Sequence, residues 1–302
     1  MKRGLVLGLL LAVGALSLGA ATRGQQEEMV VDVEQLQDNL YVLRGGGGNS
    51  AAFVTSDGVV LVDTKVPGWG QPLIDAIAEL TPNPVTTIIN THTHFDHVSG
   101  NVEFPATVQV VAHENTQRLM REWNDITGLG FAGEDVFAAS DGVGIANLTF
   151  SDRMSLGSGA DRVDVHYFGR GHTGGDAFIV FPALRTMHTG DMFASKGLPL
   201  LDAANGGSGV DFPVTLDNAY TALTEIDTII TGHSGQMTRD DLREFANFMY
   251  EFVAAVAAAK AAGQTPDQFA ASWEVPSHFA GYAAPMPERL AAAAQVIYDE
   301  LP

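Results

Sequence analysis

The chain contains no cysteine among its 302 residues. This absence excludes disulfide bonds, thiol nucleophiles and thiolate metal ligands, and it also excludes lipid attachment through an N-terminal cysteine. If the protein binds a metal ion, nitrogen and oxygen atoms must therefore hold it.

Positive charge is also scarce. The 16 lysine and arginine residues are outnumbered by 36 aspartate and glutamate residues, and the formal net charge is −20. Such an acidic surface argues against nucleic acid or an anionic membrane as a partner. Hydrophobic residues make up 46% of the chain and charged residues 17%, which is typical of a globular protein with a substantial core.

The first residues, MKRGLVLGLLLAVGALSLGAA, predict a signal peptide over residues 1–21. Lys2 and Arg3 precede the apolar stretch Leu5–Leu18, and small residues follow where a signal peptidase would cut. We expect an exported, periplasmic or secreted protein, and cleavage would remove two positive charges and change the net charge from −20 to −22. The alternative is an uncleaved anchor helix, because about 18 apolar residues can just cross a bilayer.

Residues 30–302 show alternating strand and helix patterns. This alternation predicts one α/β domain with mixed sheets and C-terminal helices. A helical pattern occupies Gly70–Leu80, and a short buried strand follows at Val85–Asn90. The other predicted strands are residues 40–45, 51–65 with a turn at 56–58, 108–113, three between 162 and 191, and 228–232; the other helices are 114–123, 239–262 and one from Pro287 to the C-terminus.

The densest group of metal-ligand residue types directly follows the strand at Val85–Asn90. His92, His94, Asp96 and His97 fall within six positions. On a tight turn, His92 and His94 can point the same way while Asp96 and His97 point to the other side. The spacing therefore predicts two adjacent metal pockets rather than a solvated surface turn.

Three more residues of these types occur downstream in similar surroundings. His172 in GRGHTGGD, Asp191 in MHTGDMF and His233 in TGHSG each lie beside glycine and near an apolar strand. Glycine lets a metal and its ligand approach the backbone closely. We predict that these residues join the first cluster.

With these motifs, the segment from Leu40 to Gly235 resembles the metallo-β-lactamase superfamily. The resemblance implies a four-layer αβ/βα sandwich with metals at one edge of two facing sheets. It also implies that His92, His94 and His172 bind a first metal, that Asp96, His97 and His233 bind a second, and that Asp191 bridges the two.

The resemblance further implies a binuclear hydrolase that acts on a small-molecule substrate. Imidazole and carboxylate ligands suit two Zn²⁺ ions, with iron or manganese as other candidates. A metal-bridging hydroxide would attack a carbonyl ester, thioester, lactone or lactam, because bound metal lowers the pKa of water toward about 7. Asp96 would orient that hydroxide as well as coordinate, so it is the predicted catalytic residue.

Other members of the superfamily remain alternatives. Absence of cysteine excludes β-lactamases with a cysteine ligand, and cysteine-free β-lactamases usually lack the bridging carboxylate that Asp191 would supply. The tyrosine typical of acyl-homoserine lactonases and the basic residues with which glyoxalase II binds glutathione are not recognisable, so no named substrate follows. A mononuclear iron enzyme resembling persulfide dioxygenases and a non-catalytic zinc-binding protein stay open.

Several further residues have weaker predicted roles near the site. Asp63 matches a position where family members often place a carboxylate that supports a metal ligand. His113 and His188 lie near strand ends, Lys196 could meet a substrate carboxylate, and Trp69 could cover the cleft, although ordinary structural roles are favoured for all four. The glycine-rich loop Lys196–Val214 is expected to shape the pocket.

Overall fold

Two mixed β-sheets carry the fold in the computed structural model, which describes residues 29–283 and 285–302. The predicted signal peptide lies outside the described residues. The first sheet has seven strands in chain order: β1 (Asp32–Gln37), β2 (Leu40–Arg44), β3 (Ser50–Thr55), β4 (Gly58–Val62), β5 (Val85–Ile89), β6 (Gln109–His113) and β7 (Leu148–Phe150). Strands β1 to β4 pair antiparallel, and β4 to β7 pair parallel.

The second sheet has five strands in the order β12-β11-β10-β9-β8. Its strands are β8 (Arg153–Leu156), β9 (Val163–His166), β10 (Phe178–Phe181), β11 (Thr186–His188) and β12 (Thr228–Ile230). Strands β11 and β12 pair parallel, and the other pairs are antiparallel. Since β4, β5, β11 and β12 all take part in parallel pairs, each sheet presents neighbouring carboxyl ends at one edge.

Helices cover the outer face of each sheet, except for the short α2, which carries Asp96 and His97. They are α1 (Gly70–Leu80), α2 (Phe95–Val98), α3 (Glu114–Glu122), α4 (Val136–Ala139), α5 (Asp211–Ala222), α6 (Arg239–Ala261), α7 (Pro266–Ala270) and α8 (Pro287–Glu300). One apolar cluster lies between the sheets, a second packs the first sheet against α1, α3 and α4, and a third packs the second sheet against α5 to α8. The predicted four-layer sandwich is confirmed, and residues Val31–Pro302 form one compact unit.

The long helix α6 shows how the sequence determines an element. Thr238 and Asp241 form a capping box at its start, which satisfies backbone N–H groups that would otherwise lack partners. Apolar side chains then recur at the spacing of one helical face and are buried, namely Leu242, Phe245, Met249, Phe252 and Val256. None of the described helices is both long and apolar enough to cross a membrane.

Some elements differ from the sequence-based expectation. The loop predicted over Lys196–Val214 ends early, because α5 begins at Asp211. Pro213 lies in the first turn of this helix, where its missing N–H is tolerated. Strands β1, β7 and β8 were not predicted, and the last two have only three and four residues.

Phe245 connects the core to the site, because its ring stacks on Phe193 with the centroids 4.6 Å apart. Both rings are fully buried, and Phe193 ends the short helical turn Gly190–Phe193. We expect Phe245→Ala to lower the free energy of unfolding by about 3–5 kcal/mol, since it leaves a cavity in the largest cluster. Chemical denaturation measures this, with the exposed Asn247→Ala on the same helix as control. A loss equal to that of the control would contradict the assignment.

Candidate metal centre

The candidate centre lies where the two sheets meet at their carboxyl edges. The segment after β5 carries His92 to His97, while Asp191 follows β11 and His233 follows β12. Backbone hydrogen bonds join the two edges, from Ala177 N to Thr91 O at 2.7 Å and from Asn49 N to Gly232 O at 2.6 Å. Sheet pairing therefore brings together residues that are up to 141 positions apart in the chain.

Four of the seven predicted ligands form a first group. Single ligand atoms of His92, His94, His172 and Asp191 all lie within 4.8 Å of one another. All four residues are buried, and His94 Nδ1 lies 2.9 Å from His172 Nε2. Such convergence of nitrogen and oxygen atoms is suited to one metal ion.

The other three predicted ligands form a second group, with ligand atoms again within 4.8 Å of one another. His233 Nε2 lies 3.3 Å from both His97 Nε2 and Asp96 Oδ2. Glycine is required beside this group, because a Cβ atom at Gly48 would lie 2.2 Å from the His97 ring. A side chain at Gly48 would displace the ring.

The carboxylate of Asp191 lies between the two groups. Its Oδ2 is 3.6 Å from His172 Nε2 and 3.3 Å from His233 Nε2, and its Oδ1 is 3.4 Å from His97 Nε2. Gly232 allows this position, since a Cβ atom there would lie 1.9 Å from Asp191 Oδ1. The structure thus brings all seven predicted residues together and places Asp191 within reach of both groups.

The ring nitrogens that point away from the centre have their own partners. His97 Nδ1 lies 2.7 Å from Asp63 Oδ2, and His94 Nε2 lies 2.8 Å from Asp202 Oδ2. Both carboxylates are fully buried. Carboxylates in this position fix the orientation of a ligand ring and increase its basicity.

Asp63 was singled out from the sequence, whereas Asp202 was missed. Asp202 follows the apolar stretch LPLL in a segment without a regular spacing, so no sequence pattern marks it. Its Oδ1 also accepts a hydrogen bond from Thr127 N at 2.8 Å, and its Oδ2 accepts one from Asn205 Nδ2 at 2.6 Å. Asp202 therefore connects His94 to the distant loop that contains Thr127, and Asn205 of its own segment supports it.

The protonation states favour metal binding by the first group. Burial and the neighbouring rings of His97 and His94 hold the pKa of His92 well below its ordinary value. Burial lowers the pKa of His172 to about 4. Both rings are therefore neutral at pH 7 and keep a lone pair for a cation.

The pKa values of the histidines in the second group are shifted in the opposite direction, upward. Burial lowers the pKa of His97, but Asp96, Asp191 and Asp63 outweigh it and raise the pKa well above the ordinary value. Asp191 raises the pKa of His233 against burial. The carboxylates thus provide a buried negative environment that favours a proton or a metal cation.

Two buried atoms at the centre test whether a metal fits. Among the described residues, His92 Nε2 and Asp191 Oδ1 have no hydrogen-bond partner. Buried polar atoms without a partner destabilise a fold, and a metal ion would satisfy both. The donor set of nitrogen and oxygen suits zinc, so the residues present fit a metal cofactor.

Lys65 is a second residue that the sequence did not reveal. Its side chain is fully buried, and Nζ donates hydrogen bonds to Leu43 O and Gly48 O, each at 2.8 Å. Burial lowers the pKa of this amine to about 7. Gly48 N in turn donates to Asp96 O at 3.1 Å, so Lys65 holds the glycine loop Gly45–Gly48 against the second group.

The other four residues that the sequence singled out near the site make contacts with the surrounding fold. His188 Nε2 lies 3.1 Å from Asn49 O, and its Nδ1 accepts a hydrogen bond from Gly190 N. The His113 ring accepts a hydrogen bond from Asn115 N at the start of α3. Lys196 pairs with Asp241 and Glu244 of α6, and Trp69 packs over Gly46.

The sequence of this chain is similar to those of known proteins. The sequence model of the metallo-beta-lactamase superfamily matches residues 43–233. A "Metallo-beta-lactamase type 2" from Elizabethkingia meningoseptica is 24% identical over 264 residues, which cover 83% of this chain and 97% of that protein. A hydroxyacylglutathione hydrolase from Nostoc punctiforme is 28% identical over 202 residues, which cover 65% of this chain and 62% of that protein.

A solved structure gives the same assignment of fold. The stereoselective inverting sec-alkylsulfatase from Pseudomonas sp. matches with a TM-score of 0.67 at 15% identity. The match covers 88% of this chain and 50% of the alkylsulfatase chain. At this identity, the likeness shows that the fold is shared.

Asp202 gives the first prediction for the centre. Asp202→Asn keeps the shape of the side chain but removes the charge that orients His94, so metal affinity should fall by about 10- to 100-fold. Competition with a chromogenic chelator measures this affinity. The control is Asp217→Asn, which removes an ion pair with Arg243 outside the centre. Equal metal affinity in Asp202→Asn and the wild type would rule out the assigned role.

Lys65 gives the second prediction. Lys65→Met should lower the free energy of unfolding by about 1–3 kcal/mol for each carbonyl left without a donor. It should also weaken metal binding, because the glycine loop loses its anchor. Lys260→Met is a matched control, since Lys260 donates to Tyr298 O and Leu301 O outside the centre. Calorimetric metal titration compares the two, and equal metal affinities would contradict the positioning role of Lys65.

Proposed function

The chain belongs to the metallo-β-lactamase superfamily and is a metal-dependent hydrolase, and we propose that it is a binuclear zinc enzyme acting on a small carbonyl compound. The substrate class we propose is an ester, thioester, lactone or lactam. In this proposal His92, His94 and His172 hold one zinc ion, Asp96, His97 and His233 hold the other, and Asp191 contacts both.

The position of Asp191 is the observation that carries this proposal. Its two carboxylate oxygens lie within 3.3 to 3.6 Å of histidine nitrogens from both groups. Burial raises the pKa of Asp191, but His233 and His97 outweigh burial and hold the pKa well below its ordinary value. An ionised carboxylate between two groups of ligands supports two cations better than one.

The residues of the site divide the chemistry between them. When bound, the zinc ions lower the pKa of water and polarise the substrate carbonyl. Asp96 lies at the floor of the open cleft and is partly exposed, so its carboxylate can orient the attacking water and accept its proton. The neutral rings of His92 and His172 stay in place because their outer nitrogens lie 2.9 Å from Thr91 Oγ1 and Leu200 O.

The second group also weighs against the iron-dependent alternative. A mononuclear oxidoreductase needs one set of ligands, whereas here Asp96, His97 and His233 converge beside the first set. With a single metal bound by the first set, these three convergent ligand residues, of which His97 is fully buried, would have no role. If both groups hold a metal ion, each of the seven residues has a role as a ligand.

The proposal includes export. Residues 1–21 carry the predicted signal peptide, and the chain has no cysteine that an oxidising compartment would modify. Export would favour zinc loading outside the cytoplasm, and the nitrogen and oxygen donor set suits zinc.

Elemental analysis of the purified protein tests the metal assignment. We expect about two zinc ions per chain in the wild type, in line with two groups that each suit one ion. Asp191→Ala should lower the content toward one and reduce kcat/KM on the best substrate of an ester, thioester, lactone and lactam panel by at least about 100-fold. Chelation should abolish activity, and added zinc should restore it.

The control is Asp152→Ala, which removes an exposed carboxylate remote from the centre. It should keep both the zinc content and the activity of the wild type. One iron ion per chain, unchanged by Asp191→Ala, would overturn the binuclear proposal and direct attention to oxygen consumption.

A further inference from the structure

A cleft of about 510 Å³ opens above the metal centre. Its floor contains ligands from both groups, namely His94, Asp96, His172, Asp191 and His233. Pockets of about 300–1,000 Å³ are typical for small organic ligands. The cleft therefore has room for a substrate that extends well beyond the reacting carbonyl.

Both walls of the cleft are apolar. One wall consists of Phe95 and of Ile126, Leu129 and Phe131 from the loop between α3 and α4. The rings of Phe95 and Phe131 are 5.8 Å apart, and Phe131 is 50% exposed. The other wall is Leu198–Leu200, which follows Asp191 in the chain. An exposed aromatic ring beside a catalytic floor is suited to an apolar group of a substrate.

The α3–α4 loop is held in place as a wall. Ile126 N donates to Phe131 O at 3.1 Å, and Gly130 N donates to Ile126 O at 3.0 Å, which closes a tight turn. Thr127 N donates to Asp202, the same carboxylate that orients His94. Because these contacts tie the wall to a ligand, the apolar surface and the metal centre have a fixed relation.

One cationic side chain lines this cleft. Arg289 lies in the first turn of α8 and is exposed. Arg289 takes part in none of the ion pairs that lysine and arginine form among the described residues. Lys196, the cation predicted to meet a substrate, is instead paired with two carboxylates of α6.

The position of Arg289 is unusual on local grounds. The first turn of a helix favours acidic side chains, because the backbone N–H groups there carry partial positive charge. A cation without a partner at that place gains nothing from the helix. A ligand with an anionic group and an apolar body could interact with the guanidinium group through the first and with the apolar walls through the second.

We propose that the cleft selects a carbonyl substrate with an apolar body and a carboxylate group, and that Arg289 binds the carboxylate. This inference rests on the proposed hydrolase function and adds its substrate class. The body lies between Phe131 and Leu198–Leu200, while the reacting carbonyl faces Asp96 and Asp191. The planar guanidinium group matches a carboxylate through two parallel hydrogen bonds.

Pairs of 4-nitrophenyl esters test the proposal with the zinc-loaded enzyme. The two esters of a pair have acyl chains of equal length, and one chain ends in a carboxylate while the other ends in a methyl group. We expect the wild type to favour the carboxylate in kcat/KM. Arg289→Gln should reduce that preference by about 10- to 100-fold, as for one charge-assisted pair, because kcat/KM on the carboxylate member falls by more than kcat/KM on the methyl member.

Arg121→Gln is the matched control. Arg121 is exposed on α3, takes part in none of the described ion pairs and does not line the cleft. It changes the net charge by the same amount, so a general electrostatic effect would appear in both variants. The carboxylate preference should stay at the wild-type value in Arg121→Gln.

A binding measurement separates this inference from the proposed function. Calorimetric titration of 4-phenylbutyrate into zinc-loaded protein should give a Kd that is about 10-fold or more higher in Arg289→Gln than in the wild type and Arg121→Gln. Carboxylate binding to the metals alone would give equal values in all three and would overturn the role of Arg289. If no member of the ester, thioester, lactone and lactam panel is hydrolysed, the proposed substrate class fails, and this titration alone decides whether Arg289 binds carboxylates.

Discussion

The buried carboxylate of Asp191 is the constraint on which the centre depends. It lies among the rings of His97, His172 and His233, with the oxygens 3.3 to 3.6 Å from their nitrogens. Placing ionised and polar groups in an interior destabilises a fold unless each group finds a partner of opposite charge or a hydrogen bond. Two metal cations would meet this requirement for the five buried ligand residues, which are His92, His94, His97, His172 and Asp191.

The surrounding structure keeps that centre in place. Asp63 and Asp202 hold the outer nitrogens of His97 and His94, and Lys65 fixes the glycine loop beside His97. Phe245 supports the turn that carries Asp191 from the core side. Core packing, buried hydrogen bonds and close glycine contacts thus act on the same few ligand positions, which is how a site becomes preorganised.

Selectivity depends on parts that are separate from the ligands. Three regions that are distant in the chain line the cleft above the centre. They are the α3–α4 loop, the segment Leu198–Leu200 and Arg289. Asp202 couples the first of these regions to His94 through Thr127. A change in the wall can therefore alter both the fit of a substrate and the orientation of a metal ligand.

The sequence alone was enough to predict an α/β domain and the first cluster, because apolar periodicity and the spacing of His92, His94, Asp96 and His97 are local properties. The four-layer sandwich and the set of seven ligands followed from the resemblance to the superfamily. The helix α5 was missed, since it has a proline in its first turn and directly follows the glycine-rich stretch Asn205–Gly209. Asp202, Lys65 and Arg289 emerged only from the tertiary structure. Their roles depend on contacts with residues 17 to 108 positions away or on a shared cleft, and no local spacing encodes such contacts.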